Sequence, residues 1–165
     1  MKVWKDDSMV EVDVKIQAGD LYDYMLAHTY NSPSGIMGSC FGAVLVVMAV
    51  MQGDWKMGII GLIVLLYLPW TLFIKSRRQA LNPVFQKPLH YKLDEDGITV
   101  SQDREEQHQE WGNMVKAMST SRSIIVYTSD VNATIFPKRD LGEQKAAVIE
   151  MISTHMPPSK VKIKE

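Results

Sequence analysis

Between Met9 and Ile16 the chain alternates strictly, with Val10, Val12, Val14 and Ile16 on one side and Glu11, Asp13 and Lys15 on the other. A period of two predicts a half-buried strand. Ala18-Gly19 ends it. Asp20 is placed to cap a short helix running to about Thr29, with Leu21, Met25 and Thr29 on one stripe. Tyr22, Tyr24 and Tyr30 give this helix an aromatic character suited to a membrane surface. Asn31-Ser32-Pro33-Ser34-Gly35 then breaks the chain.

The pattern changes at Gly35. Neither Gly35–Met51 (17 residues) nor Met57–Ile74 (18 residues) contains a charge. At about 1.5 Å per residue each spans roughly 26 Å, close to the apolar core of a thin bilayer. The polar turn Gln52-Gly53-Asp54-Trp55-Lys56 joins them, so the two segments read as a transmembrane helical hairpin. Two helices apolar on every face would need a large protein around them to be buried in a soluble core, and this chain is short. An internal hairpin places both flanks on the same side. Lys75, Arg77 and Arg78 follow the second segment, whereas the turn holds Lys56 beside Asp54; the positive-inside rule puts both ends in the cytoplasm. Trp55 and Trp70 are placed as interfacial anchors, and with the three basic residues they are the candidate membrane-surface or lipid contacts. Gly38 and Gly42 form a GxxxG, and Ser39 and Ala43 repeat the small-residue spacing. These four are candidate helix-packing positions, for the second helix of the hairpin or for a helix of another protein.

After the hairpin, Lys75 to Leu81 continues as a basic helical extension that Asn82-Pro83 stops. Leu89, Tyr91 and Leu93 alternate with polar residues, Asp96-Gly97 reads as a hairpin turn, and Ile98 and Val100 alternate again. Asp103-Arg104 is the next turn, and Glu105 to Trp111 is polar enough to be an edge strand. Further strands are predicted over 114–119, 123–128 and 132–136, with Ser129-Asp130-Val131 as the last turn. Asp140 to Glu143 has capping-box spacing before a helix to about His155, with Leu141, Val148, Met151 and Ile152 as its apolar stripe. Pro157-Pro158 stops that helix.

The predicted units are therefore an N-terminal strand and juxtamembrane helix (1–34), the hairpin (35–74), a basic juxtamembrane linker (75–86), a cytoplasmic domain (87–158) and a frayed charged tail (159–165). A lone strand leaves its backbone groups unmet. The N-terminal strand is therefore expected to join the C-terminal sheet. The pattern gives the fold class of an α+β membrane protein: a transmembrane hairpin plus about six short antiparallel strands and one closing C-terminal helix.

Composition narrows the chemistry. The chain has 165 residues, 18 Lys+Arg against 19 Asp+Glu, and a net charge of −1. That balance argues against nucleic acid as a partner. One cysteine excludes an internal disulfide and a Cys-rich zinc module. Cys40 lies in the first apolar segment, where it reads as a small hydrophobe.

The order of parts resembles the YcxB-like family of bacterial membrane proteins. The residues that carry the resemblance are Tyr91 to Val100 (YKLDEDGITV), Glu110-Trp111 with Met114-Val115 (EWGNMV), Ile124 to Tyr127 (IIVY) and Ile135 to Arg139 (IFPKR). The resemblance runs over nearly the whole chain. It implies a C-terminal domain similar to bacterial pleckstrin-homology-like (PH-like) folds, an antiparallel curved sheet or partial barrel capped by one C-terminal helix, and a location in the bacterial cell membrane. It implies no established activity.

No nucleotide-binding glycine loop, nucleophile elbow or paired-histidine metal motif occurs. Glu106, His108 and Glu110 share one strand face, which reads as a weak metal site or as a solvated, charge-protected edge. Asp94-Glu95-Asp96-Gly97 echoes a calcium loop without its alternating ligands. Trp111 packs the open end of the sheet or stacks on a ligand. Arg122, Lys138 and Arg139 suggest a sparse basic rim. No enzyme and no cofactor are expected. The sequence favours a membrane-anchored interaction or regulatory module at the cytoplasmic face, in contact with lipid and with a protein partner or a second copy. Glu106, His108, Glu110 and Trp111 are the candidate partner edge. The alternative is an envelope-stress or bacteriocin-immunity-type factor acting through its hairpin.

Overall fold

A computed structural model describes residues 9–130 and 132–163. Residues 1–8 of the N-terminal unit, Val131 of the turn and residues 164–165 of the tail lie outside the described residues. The first strand, β1 (Val10–Val14), lies antiparallel on β2 (Leu89–Leu93), with Val12 opposite Tyr91. Between them in sequence stand helix α1 (Ala18–Tyr30), the hairpin helices α2 (Pro33–Gln52) and α3 (Trp55–Ala80), and a short turn of helix, α4 (Pro83–Gln86). The hairpin is thus an insertion between two neighbouring strands of one sheet.

That sheet continues through β3 (Gly97–Gln102) to β4 (Glu105–Glu110), in the order β1-β2-β3-β4. A second sheet has the order β7-β6-β5-β8, from β5 (Lys116–Ser119), β6 (Ser123–Tyr127), β7 (Ala133–Pro137) and β8 (Val161–Lys162). Helices α5 (Lys138–Leu141) and α6 (Lys145–His155) close the C-terminal side. The two sheets share no strand, so the described residues form no closed barrel.

The alternating strands bury their apolar residues together. Val14, Leu93, Ile98, Ile124, Phe136 and Ile152 are fully buried, and Tyr91 meets Phe136 edge-on at 4.9 Å between ring centroids. On β6 every side chain is buried. A core of this kind is the main stabilising term of the domain.

Five local expectations are corrected. Asp20 is not the cap of α1: Gln17 occupies that position, and Asp20 sits three residues in, its carboxylate accepting from the Gln17 N–H at 2.8 Å. The β2–β3 turn is built on Asp94, whose Oδ1 accepts from the N–H groups of Asp96 and Gly97 at 3.1 Å. Gly97 belongs to β3, where an added Cβ would lie 2.1 Å from the Gln109 carbonyl oxygen; close approach, not turn geometry, requires glycine there. Asp140 caps no helix, and Gly142, at φ +49°, divides the C-terminal helix into α5 and α6. The tail is not frayed over Val161–Lys162, which add to β5 as a parallel strand. Lys160 anchors this return by donating to the Met114 carbonyl at 3.0 Å.

Candidate functional site

The hairpin turns on two residues. Gly53 is left-handed at φ +66° and ends α2, and its N–H returns to the Ala49 carbonyl. Asp54 starts α3, its Oδ1 accepting from Lys56 N–H at 3.0 Å and Met57 N–H at 3.3 Å. Both helices are long and apolar enough to cross a membrane. Their outward side chains are bare: Val50 is 80 % and Met51 82 % exposed, and Trp55, Ile63, Leu66, Tyr67 and Trp70 are exposed as well. An apolar surface of this extent is unstable in water.

The two helices meet through small residues, though not through the GxxxG as a unit. A Cβ on Gly42 would lie 2.9 Å from Leu65 Cγ, so Gly42 is at the contact; around Gly38 there is open space. Ser39 turns its hydroxyl to the Gly35 carbonyl at 3.1 Å, and Ala43 is exposed. The matching positions on α3 are Gly61, where a Cβ would come within 2.9 Å of Val46, and Gly58, opposite Ala49. Small residues spaced along one helix face allow this approach. The Gly58–Gly61 spacing in the sequence carried that signal.

At the other end of α3, Arg77 lies over the Phe73 ring at 4.6 Å, and Phe73 meets Tyr22 of α1 edge-on at 5.8 Å. Lys75 and Arg78 are exposed beside them. The juncture of hairpin and domain is therefore aromatic and basic.

The joint between the two flanks is an ion pair that sequence reasoning missed. Asp20 is fully buried, and Arg139 holds it with two parallel bonds, Nη1 to Oδ1 at 2.6 Å and Nη2 to Oδ2 at 2.8 Å. Arg139 also donates to the Lys15 carbonyl at 2.8 Å, while Asp140 accepts from the Lys15 N–H at 3.0 Å. The hydrogen bond to Asp20 raises the Arg139 pKa further above its ordinary value, so the guanidinium stays charged. Arg139 is consequently no part of a basic rim. Lys138 turns to the Thr120 carbonyl, and Thr120 donates to Asp23 of α1.

Beside this joint, Tyr127 is buried among Tyr24, His28 and the Lys116 ammonium. Burial, reinforced by Tyr24, pushes its phenol up to about 12. The fold holds the neutral phenol, so this contribution to stability is complete below pH 10 and is lost as pH rises toward 12. A spectrophotometric titration is expected to place one tyrosinate near pH 12, with stability falling above pH 10; ionisation of Tyr127 near pH 10 in the folded protein would contradict its burial.

Strand β4 is an edge, and Glu106, His108 and Glu110 are exposed on it. His108 bonds its Nδ1 to Thr99 Oγ1 at 2.9 Å. No cluster suited to a metal ion occurs among the described residues. Trp111 does not belong to this exposed edge. It is 7 % exposed, donates from Nε1 to the Asp94 carbonyl at 2.8 Å, and stacks on His155 at 5.2 Å. It packs the end of the sheet against α6.

No curated protein and no solved structure matches the chain. A family model does, over residues 93–152, from the last residue of β2 into α6. The hairpin and β1 lie outside this match, so the family model supports the resemblance over the segment from the end of β2 into α6 alone. Over that segment the chain is similar to the YcxB-like protein family.

Proposed function

We propose that this protein is a non-enzymatic, membrane-anchored interaction module. The observation that carries the reading is the insertion of an apolar, outwardly bare hairpin between two strands that pair with each other. Because β1 and β2 are neighbours, both flanks of the hairpin stand on one side of whatever it enters. A bacterial cell membrane satisfies its apolar surface. Lys75, Arg77 and Arg78 outweigh Lys56 and favour the cytoplasm for both ends. Two four-stranded sheets with a closing helix, α6, between β7 and β8 support a PH-like architecture for the domain.

In this reading the hairpin holds the domain at the membrane, and β4 offers the free edge to a partner strand. Its Glu105, Glu106 and Glu110 favour a basic partner segment. Reversing two charges, Glu106→Lys with Glu110→Lys, is expected to reduce cross-linked partner recovered from native membranes by about tenfold or more. Unchanged recovery, with the protein still in the membrane fraction, removes the edge from the proposal.

A second reading rests on Gly38, which stays uncovered on a smooth part of α2. There the hairpin itself engages a foreign helix, as an envelope-stress or immunity-type factor would. Gly38→Ile abolishes function in that reading and leaves the edge-based function intact.

A further inference from the structure

A cavity of about 440 Å³ opens between the two sheets beside the last turn of α3. Its size is that of a small-molecule site. Leu21, Tyr91, Val100 and Ile135 give it an apolar floor, while the carboxamides of Gln79, Gln107, Gln109 and Asn132 stand around it. None of its lining residues is charged, in a chain that is 22 % charged. Strand β4 explains how: Gln107 and Gln109 take the cavity side, and the alternate Glu106, His108 and Glu110 take the other.

The polar groups here are unspent. Among the described residues, none of the four carboxamides is engaged in a hydrogen bond. Tyr91 is 3 % exposed and lines the cavity, and its phenol likewise has no partner among the described residues. Carboxamides both donate and accept, so they suit a ligand that does the same. An anion would meet no cation in the cavity, and a cation no carboxylate.

We infer that this cavity binds an uncharged ligand bearing several hydroxyl groups beside an apolar segment, either the sugar head of a neutral glycolipid or a free sugar. The lipid source rests on the membrane reading above. In that reading Gln79, one residue beyond Arg78, sets the cavity mouth next to the headgroup layer. The ligand class itself rests only on the cavity.

The test uses the full chain in a zwitterionic detergent, since sugar-headed detergents would compete. Three probes are compared: monoglucosyl diacylglycerol, phosphatidylglycerol and free glucose. Native mass spectrometry reads the lipids and calorimetry reads glucose. The wild type is expected to retain one glucosyl lipid. Retention falls by about tenfold or more in Tyr91→Phe and in the double variant Gln107→Leu with Gln109→Leu, both with unchanged circular dichroism. Glucose binding with the same sensitivity to these variants, but no lipid retention, upholds the ligand class and assigns its source to solution. Equal retention of phosphatidylglycerol, binding indifferent to both variants, or no binding of either neutral probe overturns the inference. The glucose arm needs no bilayer, so it separates failure of the cavity from failure of the membrane anchor.

Discussion

Arg139→Met is expected to destabilise the protein by about 3 kcal/mol, the lower end of the range for stranding one member of a buried ion pair. Asp20 has no exposure, whereas the Arg139 side chain is 37 % exposed. Removing the arginine leaves a carboxylate inside the protein with only the Gln17 N–H to serve it. Met fills part of the volume, so the loss reports the charge and its hydrogen bonds more than a cavity. The double variant Asp20→Leu with Arg139→Met recovers much of the stability, because an apolar pair in this place strands nothing. Denaturant titration or hydrogen exchange in detergent measures both. The distribution of the effect matters as much as its size. Arg139 also holds the Lys15 carbonyl, so exchange protection is lost first over β1 and the start of α1. Uniform loss across both sheets would mean that the bridge is not the joint between the flanks.

The second large effect is expected inside the hairpin. Gly61→Ile forces several carbons into a space where even a Cβ would stand 2.9 Å from the Val46 side chain and backbone nitrogen. Overpacking of this kind costs about 1–3 kcal/mol or separates the helices. Gly42→Ile meets Leu65 in the same way, whereas Gly38→Ile meets open space and is expected to be silent for stability. Thermal unfolding in detergent, with gel mobility as a measure of hairpin compactness, distinguishes the three. If Gly38→Ile were as damaging as Gly61→Ile, the helix contact would run along a different face.

What was legible in the sequence followed periodicity. The alternation over Val10–Val14, the two apolar runs and the polar edge over Glu105–Glu110 each declare themselves within a few residues, because a strand or an apolar helix is written locally. The partner of β1 was legible by a different route, since unmet backbone groups demanded a sheet and β2 supplies it. What was not legible depends on neighbours far along the chain. Asp20 before an apolar stripe looks like any helix cap; only the fold brings Arg139 to it across 119 positions. Gly97 follows Asp96 as a hairpin glycine would, yet the Gln109 carbonyl, in β4, is what excludes a side chain there. Val161–Lys162 are too short to signal a strand and become one only because β5 offers an open edge. The Gly38–Gly42 pair showed a smooth face without showing which half of it is covered. The cavity was the least visible feature, since its walls come from α1, α3, both sheets and the turn after β6.

The central claim is that the hairpin enters a membrane while both flanks remain on its cytoplasmic side. Site-directed maleimide labelling tests it directly, because Cys40 is the only cysteine and is exposed on α2. Three proteins are compared in intact cells: the natural chain, and Gln52→Cys and Thr154→Cys, each made with Cys40→Ala. A membrane-impermeant maleimide is expected to label position 52 from outside, to reach position 154 only after the cells are opened, and to leave Cys40 unmodified until detergent is added. Labelling of Cys40 in opened cells without detergent, or of position 154 from outside, would contradict the account.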